Sequence, residues 1–478
     1  MEEIILPKEW TWVRLGDLVD NPMQDLVDGP FGSNLKSDEY IESGIPVFKI
    51  QNIKVNRFVD KRISFISKKK AKSLIRHSFQ TGDLIITKLG EPLGLCCKVP
   101  AKYPFGIIVA DLMRLRPSKS KIYDDFLLNV INSDIVKKQF KSITKGTTRA
   151  RVNLTIVRDI KIPLPPKETQ YKIVSKIEEL CSELDKGIEN LTTALQQLLI
   201  YRKTVIMEGV TGKLTANWRT INPDADNSEK VFTEIQNQIN KSFKAAFDYA
   251  VSKGQRKPKD HRKNKKTINI EIKLPELPAT WKYYRLEDIT YLVTDGTHFT
   301  PKYQEKGVIF LSVKNVRPFY FRLQHVKYIS EKEHKSLIER CNPQKNDILY
   351  TKVGATFGYA AKVTMEYDFS IFVSLCLIKP VYEYFSSSFL EILMNSELVF
   401  RQARKRVSGS GVPDLHLIEI RDFKIPLPSL KEQQMIVQEI ESRLSVADKM
   451  EESITQSLQQ AGSLRQSILK QAFEGKLI

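Results

Sequence analysis

The sequence is poor in the residues that build staples and metal centres. Five cysteines, Cys96, Cys97, Cys181, Cys341 and Cys376, are spread over 478 residues with neither the spacing of a zinc site nor the density of a disulfide framework. They read as reduced, mostly buried thiols. No apolar run approaches the roughly 18–20 residues of a membrane span, and Met1-Glu2-Glu3-Ile4 does not open a secretory leader. A soluble, cytoplasmic protein is expected. Catalytic signatures are missing as well. An adenine methyltransferase holds its flipped base with an Asn/Asp/Ser-Pro-Pro-aromatic turn, and the only Pro-Pro here, Pro165-Pro166, runs into Lys167. Gly209-Val210-Thr211-Gly212-Lys213-Leu214 lacks both the spacing and the final hydroxyl of a phosphate-binding loop. Acidic residues are the minority, 56 against 75 Lys and Arg, which leaves a formal charge of +19 and a pI of about 9.4. That excess favours a polyanionic partner, with nucleic acid ahead of membrane.

What the sequence does contain, it contains twice. Arg158-Asp159-Ile160-Lys161-Ile162-Pro163-Leu164-Pro165 returns as Arg421-Asp422-Phe423-Lys424-Ile425-Pro426-Leu427-Pro428, and the two copies keep register to Gly212-Lys213-Leu214 and Gly475-Lys476-Leu477. After each proline pair, apolar residues recur at spacings of three and four. They fall at Ile173, Ile177, Leu180, Leu184, Ile188, Leu191, Leu195 and Leu198, and again at Val437, Ile440, Leu444, Ala447, Met450, Ile454, Leu458, Ala461, Leu464 and Ile468. Each stripe describes one face of a helix of ~45 residues, on the order of 65 Å long. Proline sets a stiff entry to each helix, and Gly209 and Gly212 mark the end of the first. A stripe this long needs a partner. The other copy, of similar length, suits a two-stranded coiled coil; the plainer alternative packs each helix on its own domain.

The repeat extends upstream. Leu6-Pro7-Lys8-Glu9-Trp10 matches Leu277-Pro278-Ala279-Thr280-Trp281. Turn-rich Asp28-Gly29-Pro30-Phe31 and Asp295-Gly296-Thr297-His298-Phe299 follow. Strand-like segments begin at Gly44 and Gly307, at Gly82 and Asn346, and at Phe105 and Phe369. Helical patterns at 124–140 and 387–404 then run into the glycine loops at Gly146 and Gly409. The fold class expected is α+β: two similar mixed domains, residues 1–157 and 274–420, and two long helices, 158–214 and 421–478. Residues 215–273 read as a basic linker containing a short amphipathic piece at 231–251 and a cationic run from Lys253 to Lys266.

In order and duplication these motifs resemble the specificity (S) subunits of type I restriction–modification systems. The resemblance covers nearly the whole chain. It is carried by the Leu-Pro-x-x-Trp starts at Leu6 and Leu277, the Asp-Leu/Ile segments after Gly82 and Asn346, the Ile-Pro-Leu-Pro entries at Ile162 and Ile425, the helix starts at Gln170 and Gln433, and the end Glu474-Gly475-Lys476-Leu477-Ile478. It implies a non-catalytic subunit whose two target-recognition domains each read half of a bipartite site on double-stranded DNA, held apart by the two helices, which would pair as an antiparallel coiled coil. The helices would dock two methyltransferase (M) subunits, and restriction (R) subunits would join. It also implies that this chain has no cofactor of its own, with S-adenosylmethionine, ATP and Mg²⁺ on the partner subunits.

Strand ends and glycine turns supply candidate DNA contacts: Lys49, Gln51, Asn52, Lys88, Arg149 and Arg151 in the first half, and Lys314, Asn315, Arg317, Lys352, Arg404 and Arg406 in the second. Arg suits guanine, Asn and Gln suit adenine, and Lys more often meets phosphate. Candidate seam and docking residues are Ile173, Ile177, Leu184, Leu191, Leu195, Val437, Ile440, Leu444, Ile454 and Leu458. Two rival readings remain. Pro413-Asp414 with Asp422-Phe423-Lys424 has the spacing of a Mg²⁺ nuclease site, and a two-headed coiled-coil adaptor for acidic proteins needs no DNA specificity. If the helices act as a ruler, four residues inserted after both Leu191 and Ile454 lengthen each by ~6 Å, about two base pairs of DNA. Those four residues exceed one turn by about 40°, so the seam drifts without reversing. The measurement is the methylated motif of an active variant, and an unchanged spacer between unchanged half-sites would refute the ruler.

Overall fold

The computed structural model describes residues 5–31, 34–90, 93–143, 152–254, 257, 272–407 and 413–478. The chain divides into two compact units, residues 1–193 with 454–478 and residues 194–453.

Each unit is built on one short apolar strand buried on both faces, Leu84–Thr87 in the first and Ile348–Thr351 in the second. Because side chains alternate along a strand, Leu84 and Ile86 enter one core while Ile85 enters another. Ile348 and Tyr350 divide from Leu349 in the same way. Around this strand the first unit forms a four-stranded antiparallel sheet in the order Cys96–Lys98, Leu84–Thr87, Leu112–Leu115, Leu26–Asp28. The second repeats it with Ala360–Lys362, Ile348–Thr351, Leu375–Pro380 and Thr290–Asp295. A second sheet in each unit centres on a parallel pair, Ile45–Phe48 with Phe105–Ile108, and Val308–Leu311 with Phe369–Ile371. The segments 105–115 and 369–378, expected as one strand each, are therefore two strands in different sheets. Turns closed by Leu112 N–H to Val109 O (2.9 Å) and Leu375 N–H to Phe372 O (2.9 Å) divide them.

Helices cover the antiparallel sheets, and one asparagine per unit ties helix to strand. Asn132, just past the helix Asp124–Ile131, accepts from the Cys96 amide (3.0 Å) and donates to the Cys96 carbonyl (2.8 Å). Asn395, just past Ser387–Met394, does the same with Ala360, at 2.9 Å in both directions. The side-chain amide thus completes backbone groups of an edge strand, which would otherwise be left unpaired. The thiols are mostly enclosed: Cys96, Cys97, Cys341 and Cys376 are buried, Cys181 partly so. Burial pushes Cys97 and Cys341 up to about 12, far from thiolate chemistry at neutral pH.

The proline entries are strands before they are helices. Lys161–Leu164 pairs antiparallel with Thr11–Arg14, and Lys424–Pro426 with Tyr283–Arg285. Prolines are tolerated because these ribbons are only two strands wide. The helices that follow, Lys167–Val210 and Leu430–Phe473, have 44 residues each. In the first unit Ile173, Val174 and Ile177 of one helix share a core with Ile468, Leu469, Ala472 and Phe473 of the other. In the second unit Val205 and Val210 meet Ile436 and Ile440. The beginning of one helix meets the end of the other in both units, so they pair antiparallel. Between these ends Leu184, Ile188, Leu191, Leu195, Ile454 and Leu458 are half-buried, and Val437 and Leu444 pack on the second unit's core.

Three expectations need correction. Met450 and Leu464 belong to the apolar stripe by spacing but stand 53% and 52% exposed, because two partnered helices bury less than a full stripe. Gly209 does not end its helix: a Cβ there would lie 2.5 Å from Ile440 Cδ1, so its bare backbone makes room for Ile440, and Gly212 at φ +78° ends the helix instead. Residues 215–252 are not linker. The helix Ser228–Ser252 buries Val231, Ile235 and Ile239 in the second unit's core and stacks Phe232 on Tyr284 at 4.2 Å. Of the cationic run, all but Lys253 and Lys257 lie outside the described residues. Finally, no helix among the described residues is long and apolar enough to cross a membrane.

Each long helix is anchored by a buried glutamine. Gln170 accepts from the Tyr123 amide (2.8 Å) and donates to the Pro165 carbonyl (2.9 Å). Gln433 accepts from the Ser386 amide (2.7 Å) and donates to the carbonyls of Tyr384 and Pro428, each at 3.0 Å. Gln433→Leu keeps the bulk but strands these groups, and is expected to destabilise the second unit by about 2–3 kcal/mol in denaturant titration. A shift under about 0.5 kcal/mol would mean that water replaces the amide without cost.

Candidate nucleic-acid interface

In each unit three segments that are distant in sequence converge on one corner. The first is the Asp-Gly turn. Gly29 N–H donates to Leu112 O (3.0 Å), and a Cβ at Gly29 would lie 2.0 Å from Val109 O. Gly296 repeats this, with its Cβ position 2.0 Å from Ile371 O. Only glycine fits so close to backbone. The second segment is the residue after the central strand, Lys88 or Lys352. Both lysines are buried, and a buried ammonium needs a partner. The preceding aspartate supplies it: Lys88 Nζ lies 2.9 Å from Asp28 Oδ2, and Lys352 Nζ lies 3.6 Å from Asp295 Oδ2. The third is the far end of the glycine loop. Val152 N–H donates to Lys88 O (3.2 Å), and Leu415 N–H to Lys352 O (2.9 Å).

The two corners share a frame and differ in what they display. In the first, His77 Nδ1 contacts the main-chain oxygen of Asp28 at 2.5 Å, and the exposed Phe31 ring lies 5.7 Å from Lys88 Nζ. In the second, the Asp295 carboxylate also receives Arg340 (2.5 Å) and His298 (3.3 Å), with exposed Phe299 alongside in sequence. Charge diverges nearby. The helix Lys68–Ser73 reads Lys-Lys-Lys-Ala-Lys-Ser, whereas its counterpart Glu331–Ile338 begins Glu-Lys-Glu-His-Lys.

The sequence candidates separate accordingly. Gln51, Lys314 and Arg404 are exposed, and Lys49 is half-buried with its Nζ 4.1 Å from the Tyr40 ring centre. Asn52 is buried and spent on its own loop, accepting from Lys49 N–H (2.9 Å) and donating to Val59 O and Lys61 O, each at 3.0 Å. Asn315 repeats this with Ser312, Arg322 and His325. Neither amide is presented to a base. Arg317 turns back to the carbonyls of Val313 and Val316. Arg406 is buried against Asp422 at 3.0 Å, so it braces the helix entry and offers nothing to a ligand. Arg149 and Arg151 lie outside the described residues. Asp28, Asp295, His77, Arg340 and His298 were missed as site residues. The duplicated Asp-Gly pair was a usable signal for the first two; nothing in the sequence joined His77 or Arg340 to it.

The nuclease reading loses its metal. Asp422 is enclosed by Arg406 (3.0 Å), Arg285 (3.2 Å) and Lys424 (3.5 Å), so its charge is already compensated. Asp414 is exposed and faces Lys352 at 4.0 Å instead. Among the described residues no group of three His, Cys, Asp or Glu side chains is placed to hold a metal ion.

Comparison with known proteins accords with this geometry. A family model described as "Type I restriction modification DNA specificity domain" matches residues 7–193 and again 278–460. The chain is 26% identical over 345 residues to the type I restriction enzyme EcoBI specificity subunit of Escherichia coli, covering 70% of this chain and 62% of that subunit. It is 21% identical over 454 residues to the EcoKI specificity subunit of Escherichia coli strain K12, covering 93% and 84%. Among solved structures, the HsdS subunit from Thermoanaerobacter tengcongensis superposes with a TM-score of 0.52 at 17% identity over 99% of both chains. A chain from a study of assembly and conformational transition in the type I R-M system superposes with a TM-score of 0.64, also at 17% identity and 99% coverage. At that identity the likeness speaks for the fold. Gly29→Ala and Gly296→Ala are each expected to unseat the corner of their own unit, read as faster hydrogen exchange in Phe105–Ile108 or Phe369–Ile371. Unchanged protection would show that the close approach is dispensable.

Proposed function

This chain belongs to the family of type I restriction–modification DNA specificity proteins, and from that premise we propose that it is the subunit that chooses the DNA site for a methylating and restricting complex. Each recognition domain reads one half of a bipartite sequence. The observation that carries this reading is the duplicated corner: one frame of glycine, aspartate and buried lysine, displaying different side chains in its two copies. A duplicated enzyme would keep its reactive groups identical in both copies, whereas a duplicated reader keeps its scaffold and changes its surface.

The chemistry belongs to partners. Two methyltransferase subunits docked on the long helices would carry S-adenosylmethionine and methylate adenine, and restriction subunits would bring ATP- and Mg²⁺-dependent translocation and cleavage. Exposed Leu199, Ile200, Val446 and Met450 on the helices offer apolar area for such docking. Positive charge supplies sequence-independent attraction to phosphate, and the corners add selectivity.

Co-expression with its methyltransferase subunits is expected to produce an interrupted, adenine-methylated motif in host DNA. The purified chain alone is expected neither to methylate DNA nor to cut it with Mg²⁺. Methylation or cleavage by the isolated chain, or a complex that methylates a continuous motif, would each overturn the proposal.

A further inference from the structure

The second corner holds an arginine in a way that surface arginines are rarely held. Arg340 follows the helix Glu331–Ile338 and is 53% exposed at its side chain, yet one terminal nitrogen rests 2.5 Å from the Oδ1 of Asp295, whose own side chain is only 3% exposed. The other Asp295 oxygen faces Lys352, itself 7% exposed. His298 Nε2 lies 3.3 Å from the same Oδ1 and 3.4 Å from the Arg340 nitrogen. A buried carboxylate, backed by a buried lysine, therefore grips one nitrogen of a guanidinium whose side chain is otherwise about half exposed.

Three physical consequences follow. A guanidinium carries five N–H donors in a planar fork, so one nitrogen can be anchored while others remain for a ligand. Fixing a long side chain in advance removes much of the rotamer entropy that is otherwise lost on binding. A pre-oriented fork matches the two acceptors, O6 and N7, that guanine presents in the major groove. Phosphate can take the same fork but carries no base identity, so only a guanine contact makes the motif depend on this arginine.

The first domain supplies an internal comparison. His77 stands at the same distance after its Ser67 helix cap as Arg340 after Ser330. It contacts the main-chain oxygen of Asp28, not the carboxylate, and that carboxylate is 23% exposed. The matched position offers no fork there, so whatever the first corner reads, it does not read it in this way.

We propose that Arg340, positioned by Asp295, is a base-reading residue of the second recognition domain and addresses a guanine in that domain's half-site. The proposal rests on the specificity-subunit reading above. It is tested by sequencing modified bases in DNA methylated by complexes containing wild-type, Arg340→Ala, Arg340→Lys or Asp295→Asn chains. The wild-type complex is expected to give an interrupted motif with a guanine in the half-site of the second domain. Arg340→Ala should lower the preference for that guanine by roughly 10- to 100-fold and leave the first half-site untouched. Arg340→Lys retains charge but not the fork, and should relax the same position. Asp295→Asn should relax it partially. A motif unchanged in Arg340→Ala, whether or not methylation weakens overall, would identify a phosphate contact and overturn the proposal. Relaxation spread over both half-sites would overturn it equally. If Arg340→Ala does not assemble, Arg340→Lys decides: a wild-type motif in that variant counts against guanine reading. Failure of the wild-type complex to give any interrupted motif would instead sink the assignment of the whole chain.

Discussion

One buried glutamine amide at the start of each long helix joins that helix to the domain that precedes it. Gln170 and Gln433 each accept from an amide at or beside the start of a domain helix and donate to the carbonyl of the last proline in the Ile-Pro-Leu-Pro entry. The amide fits because it has both a donor and an acceptor end, so a carboxylate or an alkyl chain would leave buried backbone unpaired. Everything downstream depends on this joint. The two-stranded ribbon before the helix, the angle at which the helix leaves, and the core that receives the far end of the other helix all take their position from it.

The corners show how a duplicated frame allows divergence. Glycine against a carbonyl and a buried lysine against an aspartate are constraints that neither copy can relax without stranding a charge or forcing a clash. His77 and Arg340, Phe31 and Phe299, and the lysine-rich helix against its mixed counterpart carry no such burden. The chain's net charge of +19 is therefore an average over surfaces that differ from one head to the other.

Much of this was legible in the residues. The repeat marked two similar halves, the three–four spacing marked the apolar face of both long helices, and Gln170 and Gln433 stood out as matched helix starts, although residues 158–166 and 421–429, expected within the helices, precede Lys167 and Leu430. What stayed hidden had partners far away in the chain. Asn52 and Asn315 look like adenine readers until the carbonyls they satisfy are seen. Arg406 looks exposed until Asp422, 16 residues further on, is found beside it. The helix Ser228–Ser252 was recognised as amphipathic, but the face it covers lies on residues such as Tyr284 that follow the basic run. Arg340 reaches Asp295 across 45 residues of sequence, and no local pattern records that contact.

The first unit is discontinuous in sequence, its core closed by Ile468, Leu469, Ala472 and Phe473 from the end of the second long helix. The second unit, residues 194–453, is a single unbroken stretch. During synthesis the order of birth and the order of completion are thus reversed. The head that leaves the ribosome first waits for the last helical turns, roughly 15–60 s later at about 5–20 residues per second. Throughout that interval Ile173 and Ile177 lack the part of their cover that Ile468, Leu469, Ala472 and Phe473 supply, while the later-made head already holds every residue of its own core.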